Sequence, residues 1–183
     1  MPEGFPPLIA KDARILILGT MPSVQSLEKT QYYGNPQNAF WRILFSLWNL
    51  PLPERYADRT AFLQEKRIAM WDVLRECERK GSADASITRP EPNDFTLLAA
   101  CCPELEAVFF NSQGAARLYE RLVRPDPLAG LPKRALPSTS PARAMPFGEK
   151  RALWLPVREA LEPDEINFPA SRPSPDKNGN RSQ

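Results

Sequence analysis

Residues 13–23 read ARILILGTMPS, and the fold turns on how this run is taken. Four apolar residues follow Arg14 without a polar alternate, so a strand here would bury both of its faces, the mark of a parallel sheet covered by helices. Gly19 closes the run, and Thr20, Pro22 and Ser23 supply turn chemistry. Three further short apolar runs lack alternation in the same way: RIAMWDVL (67–74), EAVFFN (106–111) and RALPSTS (134–140). Helix-length segments separate them. The expectation is an α/β protein, a three-layer αβα sandwich with a central four-stranded parallel sheet.

The intervening segments carry helical patterns. AFWRILFSLW (39–48) places Phe40, Trp41, Leu44, Phe45 and Trp48 on one broad face. FTLLAACC (95–102) stops at Pro103, and SQGAARLYERLV (112–123) stops before Pro125. GEKRALWLPVREAL (148–161) carries Pro156, which is expected to kink or divide it. Residues 1–168 are read as a single domain. From 169 to 183, PASRPSPDKNGNRSQ has no apolar anchor and reads as a disordered tail.

Composition narrows the chemistry. The 183 residues suit one domain with a sizeable core, and 42% hydrophobic content is ordinary for a globular chain, while 21 prolines against 8 glycines imply stiff connections. Three cysteines, Cys77, Cys101 and Cys102, with no Cys-x-x-Cys spacing and no histidine anywhere, build neither a disulfide framework nor a typical zinc site. Three also fall short of the four thiolates of a standard iron–sulfur cluster. No apolar run approaches the ~20 residues of a membrane span, and the first ten residues lack a basic flank before an apolar stretch. A reducing cytoplasm is expected, with no membrane, and the nucleoid if the source is prokaryotic. A net charge of +2 from 24 basic and 22 acidic residues does not announce nucleic acid, but it leaves room for a local basic face.

In open parallel sheets, ligands bind beyond the carboxyl ends of the strands. Gly19 and Thr20 follow the first strand, Asp72 interrupts the second, Asn111 ends the third, and Ser138, Thr139 and Ser140 end the fourth. Each has an ordinary alternative. Asn38 before an apolar helix reads as an N-cap, Asn111 as another, Pro137-Ser138 as a turn, Tyr32 and Tyr33 as packing, and Asp72 as a buried carboxylate satisfied by backbone amides. The stretch RKGSADASI (79–87) reads as a solvated loop. Four polar groups on one rim are what make the set a site.

Taken in order, LILGTMPS, YYGNPQNAFW, MWDVL, RKGSADASI, FFNSQGA and LPSTSPARA resemble the uracil-DNA glycosylase superfamily, in the arrangement of its hypoxanthine-DNA (deoxyinosine) glycosylase branch. The resemblance runs from about Ile15 to Trp154. It departs from the familiar uracil enzymes at Met21, where they carry Asp or Asn, and at Ser138, where their last motif begins with His-Pro-Ser; related enzymes also often show His at the place of Asn35. Those differences weaken the case for uracil and leave Asn38, in NPQN, as the candidate to orient the attacking water.

The resemblance implies a monofunctional glycosylase that hydrolyses the N-glycosidic bond of deoxyinosine in base-excision repair. It implies no cofactor, no metal and no obligate protein partner, and its substrate is double- or single-stranded DNA containing a deaminated base. Such an enzyme must extrude the base, then stabilise the charge that develops on it. Backbone amides near Gly19, Thr20 and Met21 and the side chain of Asn111 are expected to meet the base, with Tyr33 stacking on it. Ser138, Thr139, Ser140, Arg143 and Lys150 are expected to hold the DNA, in a segment where Lys133, Arg134, Arg143, Lys150 and Arg151 face the single acid Glu149. Met145 or Phe147 is a candidate to fill the gap left by the flipped base, and either is equally a core residue. The alternatives are a uracil- or xanthine-preferring relative and a non-catalytic nucleotide- or DNA-binding module. A dinucleotide site is disfavoured, because GTMPS lacks Gly-x-Gly-x-x-Gly.

Overall fold

A computed structural model describes residues 3–163. The tail expected at 169–183 lies outside the described residues. Strand β1 (Ile15–Gly19) pairs in parallel with β2 (Ile68–Asp72) on one side and β5 (Ala107–Phe110) on the other, and β5 pairs in parallel with β6 (Lys133–Ala135). The order β2-β1-β5-β6 gives the four-stranded parallel sheet that the apolar runs predict, although β6 ends at Ala135 and the rest of the run expected over 134–140 is not strand. Every residue of β1 and β2 is buried, so both faces of the sheet are covered.

Helices α1 (Val24–Lys29), α2 (Phe40–Leu47), α3 (Tyr56–Glu65), α4 (Phe95–Cys101), α5 (Gln113–Leu122) and α6 (Phe147–Leu161) supply that cover. Helix α2 buries Phe40, Trp41, Ile43, Leu44, Phe45 and Leu47 and leaves Arg42 exposed, so its apolar surface wraps further than a single face. It packs on α6, where Trp154 meets Phe40 edge to face at 5.9 Å. Pro156 does not divide α6. It lacks one N–H, but Trp154, Val157 and Leu161 on either side are buried and hold the helix in place.

The run 67–74 is not one strand. It breaks after Asp72, and β3 (Leu74–Glu78) leaves the main sheet to pair antiparallel with β4 (Thr88–Pro92). This ribbon is absent from the sequence reading, because TRPEP carries two prolines and a half-exposed edge strand is one of the few places that tolerates them. Where the chain leaves the sheet, Val73 N donates to Gly19 O at 2.9 Å, and Asn93 Nδ2 donates to Asp72 O at 2.9 Å. The β2–β3 junction is thereby fixed beside the end of β1.

Candidate active site

The strand order sets a row along the carboxyl edge of the sheet: Asp72, Gly19, Asn111, then Thr139 after β6. Neighbouring strands stand ~4.8 Å apart, so side chains on this row reach one another. Asn111 N donates to Leu18 O at 2.8 Å, which continues the ladder by one residue and leaves its side chain to Thr139. Asn111 Nδ2 donates to Thr139 Oγ1 at 2.8 Å, and Thr139 N donates to Asn111 Oδ1 at 2.9 Å. Asn111 does not cap α5; Ser112 does, accepting from Ala115 N. The second hydrogen of the Asn111 amide faces the Tyr33 hydroxyl outside hydrogen-bond geometry.

Gly19 is required by its neighbours. A Cβ here would lie 2.3 Å from Asp72 Oδ1 and 3.0 Å from the Tyr33 hydroxyl, so only glycine lets both side chains close over the end of β1. Tyr33 stacks on Phe40, centroids 3.8 Å apart and planes 15° apart. One face of its ring is therefore committed to protein. Its backbone is in the left-handed region, φ 53°. The rest of the loop is tied down: Trp41 Nε1 donates to Tyr32 O, Tyr32 N to the Tyr56 hydroxyl, and Gly34 N to Ser26 Oγ.

Asp72 is buried, and no backbone amide among the described residues donates to its Oδ2. Its Oδ2 and the Tyr33 hydroxyl are the buried side-chain polar atoms without a partner among the described residues. Burial pushes the Asp72 carboxyl up to about 7, with Asp84 raising it further and Arg79 opposing. Burial likewise pushes the Tyr33 phenol well above its ordinary value.

The loop after β1 is bound from the side by Arg79, which the sequence places in a solvated stretch. Its side chain is only 2% exposed; it donates to Met21 O and Pro22 O and faces Asp84 at 3.7 Å. Val24 N donates to Ser82 Oγ, a second clasp between the same two segments. Met21 is itself buried, and the Thr20 and Met21 amides donate to no backbone carbonyl among the described residues.

Asn38 is half-buried; the N-cap of α2 is Ala39, which makes no side-chain cap bond, and Asn38 stands one residue before it with its Oδ1 accepting from Phe40 N at 3.0 Å. Its Nδ2 donates to none of the described residues. Ala39 N donates to Thr139 O at 3.0 Å, which joins the start of α2 to the segment after β6. Trp154 Nε1 fixes that segment through Pro137 O.

The basic residues divide. Lys133 stands at the start of β6, the edge opposite the row, and is occupied by Leu128 O and Asp126. Arg134 follows it there. Arg151 donates to Ser46 O and Asn49 Oδ1 at the end of α2. Lys150, expected on the DNA, is 4% exposed and donates to Arg143 O, and burial lowers its affinity for a proton. Thr139, expected there too, is buried against Asn111. Arg143 remains exposed. It is joined by Arg42, which the sequence reading omits because it is a lone charge in an apolar helix. The two line a groove of about 230 Å³ with Gln37, Thr139, Ser140, Met145, Phe147 and Lys150, and the Arg42 guanidinium lies 4.8 Å from the Phe147 ring centre. Ser138 and Ser140 accept from loop amides and keep their own hydroxyl protons for donation.

Residues 6–162 match the uracil DNA glycosylase superfamily. The chain belongs to this superfamily. Hypoxanthine DNA glycosylases from Methanosarcina barkeri and Methanosarcina acetivorans are 35% and 37% identical to it over 153 residues, 83% of this chain and 94% of each relative. A uracil DNA glycosylase-type protein from Methanosarcina acetivorans, solved by NMR in solution, superposes with a TM-score of 0.71 at 35% identity, covering 85% of this chain and 98% of its own. In this superfamily member's sheet, the row at the strand ends stands where an open parallel sheet places its ligand.

Proposed function

We propose that this chain is a monofunctional DNA glycosylase that hydrolyses the N-glycosidic bond of deoxyinosine and releases hypoxanthine, with residues 1–168 acting as one catalytic domain. The observation that carries the reading is the likeness, over most of both chains, to relatives named for that activity. In this reading the flipped base enters between the end of β1 and Tyr33. The amides of Thr20 and Met21 and the outward hydrogen of Asn111 meet the charge that develops on the departing base. Asn38 holds the water at the sugar face. Its Oδ1 has a second lone pair beyond the one used by Phe40 N, and its amide hydrogens are available as well. Arg42, Arg143, Ser138 and Ser140 take the phosphates, which puts the DNA across the groove between α2 and the segment after β6.

A second reading, with uracil as the base, is favoured by the name of the solved relative. One assay separates them. Duplexes carrying a single inosine, uracil or xanthine are incubated with the protein and abasic sites are cleaved with alkali. Breaks at inosine support the first reading, breaks only at uracil the second, and no breaks overturn both.

A further inference from the structure

We propose that Arg79 is a positioning residue for the glycosylase reaction, holding the loop after β1 so that the Thr20 and Met21 amides face the departing base. The proposal rests on the glycosylase reading above and adds to it a residue from outside the row. Along a strand, successive carbonyls point to opposite neighbours. Strand β1 keeps to this up to its end: Leu18 O accepts from Asn111 N on the β5 side, and Gly19 O from Val73 N on the β2 side. Thr20 O would return to the β5 side if the alternation continued, and instead it accepts from Leu74 N at 3.0 Å. A trans peptide points its N–H opposite to its C=O. The Thr20 and Met21 amides share their peptide units with the carbonyls of Gly19 and Thr20, so both are turned to the side where β5 brings Asn111. Neither donates to a backbone carbonyl among the described residues.

Two bonds to the β2–β3 junction set this direction, and Arg79 keeps it. Met21 O and Pro22 O accept from its guanidinium, so the four successive carbonyls from Gly19 to Pro22 are all held from the side of the β3–β4 ribbon. Pro22 has no N–H to misdirect. One side chain suffices for two carbonyls because the guanidinium is a rigid fork of N–H donors. Its burial also points to this task. A buried charge is costly unless it is compensated, yet the Arg79 side chain is 2% exposed, and Asp84, the carboxylate that faces it, stands 3.7 Å away and is itself half-exposed. A turn that had only to join β3 to β4 would leave its cation in water, as it leaves the neighbouring Lys80. Here the cation is spent on main-chain carbonyls of the loop that carries the two outward amides.

The test is single-turnover excision from an inosine duplex at rising enzyme concentration, which gives a plateau rate and a half-saturating concentration for the parent, Arg79→Lys and Arg79→Met. Methionine fills much of the space and donates nothing, while lysine keeps the charge but offers a point in place of the fork. The plateau is expected to fall by ~10²-fold in Arg79→Met and by ~10-fold in Arg79→Lys at an unchanged half-saturating concentration, the loss expected when stabilising groups are misplaced. An arginine with a merely structural role gives the opposite split. Unfolded enzyme then drops out of the active count, so the half-saturating concentration rises while the folded remainder keeps the parental plateau. That result overturns the assignment, and so does a parental plateau with nothing else changed. A parent that leaves inosine intact at every enzyme concentration overturns the glycosylase reading itself, and this inference falls with it. Circular dichroism shows whether each variant is folded, and Arg79→Lys carries the test if Arg79→Met does not fold.

Discussion

Asn111 and Thr139 hold each other by two hydrogen bonds, side chain to side chain at 2.8 Å and backbone to side chain at 2.9 Å. This pair locks the end of β5 to the segment after β6 and turns the remaining Asn111 hydrogen toward Tyr33. Asn111→Asp keeps an acceptor for Thr139 N, and the Thr139 hydroxyl can rotate to donate to the other oxygen, but the outward donor is gone. Inosine excision is expected to fall by at least ~10²-fold, and the ranking among inosine, uracil and xanthine to change. Relative single-turnover rates on the three duplexes check this. An unchanged ranking with an earlier melt would leave Asn111 as a structural tie between strands.

A methyl group at position 19 meets Asp72 Oδ1 at 2.3 Å and the Tyr33 hydroxyl at 3.0 Å. Gly19→Ala should therefore destabilise by ~1–3 kcal/mol through overpacking. With Asp72→Ala in the background the methyl has room, so the two changes should couple by ~0.5–3 kcal/mol. Urea titration of the four proteins of the cycle measures the coupling. Additive effects would mean that the two side chains do not meet.

Arg143 and Arg42 line one groove, whereas Lys133 sits at the far edge of the sheet. Removing either arginine should weaken duplex binding at every sequence and reduce the slope of log K against log salt by ~0.9 for each phosphate that is no longer neutralised. Lys133→Ala should leave the slope alone. Fluorescence anisotropy across a salt series gives all three slopes, and a slope that responds to Lys133 but not to Arg143 would move the DNA to another face.

The sheet was legible because β1 and β2 are buried on both sides and so cannot alternate, and because each apolar run ends on a turn residue. The row at the strand ends was legible for the same reason: chain direction alone sends Gly19, Asp72, Asn111 and Ser138 to one edge. The same logic, applied to Lys133 and Arg134 at the start of β6, places them at the opposite edge, away from Arg143. The surroundings of Asp72 and Arg79 were not legible. Whether a carboxylate finds amides depends on which loops close over it, and a buried guanidinium at the start of RKGSADASI leaves no periodic trace. The β3–β4 ribbon was hidden by its prolines.

Asn38 carries the last test, because here the ordinary role is present: its Oδ1 accepts from Phe40 N. A cap and a water-holding group make separable demands. Loss of the cap in Asn38→Ala should cost ~1 kcal/mol of stability, while loss of the group that positions the nucleophile should slow single-turnover excision by ~10²-fold with duplex affinity retained. Asn38→Ser separates the two, since serine is a favoured cap but its hydroxyl stands closer to the backbone and presents no amide. It is expected to melt near the parent and still cut ~10²-fold more slowly, the loss expected for a misplaced reacting group. Melting curves and single-turnover rates on an inosine duplex decide the matter. A serine variant as fast as the parent would leave Asn38 a helix cap alone, and the water would have to be held by another residue of the row.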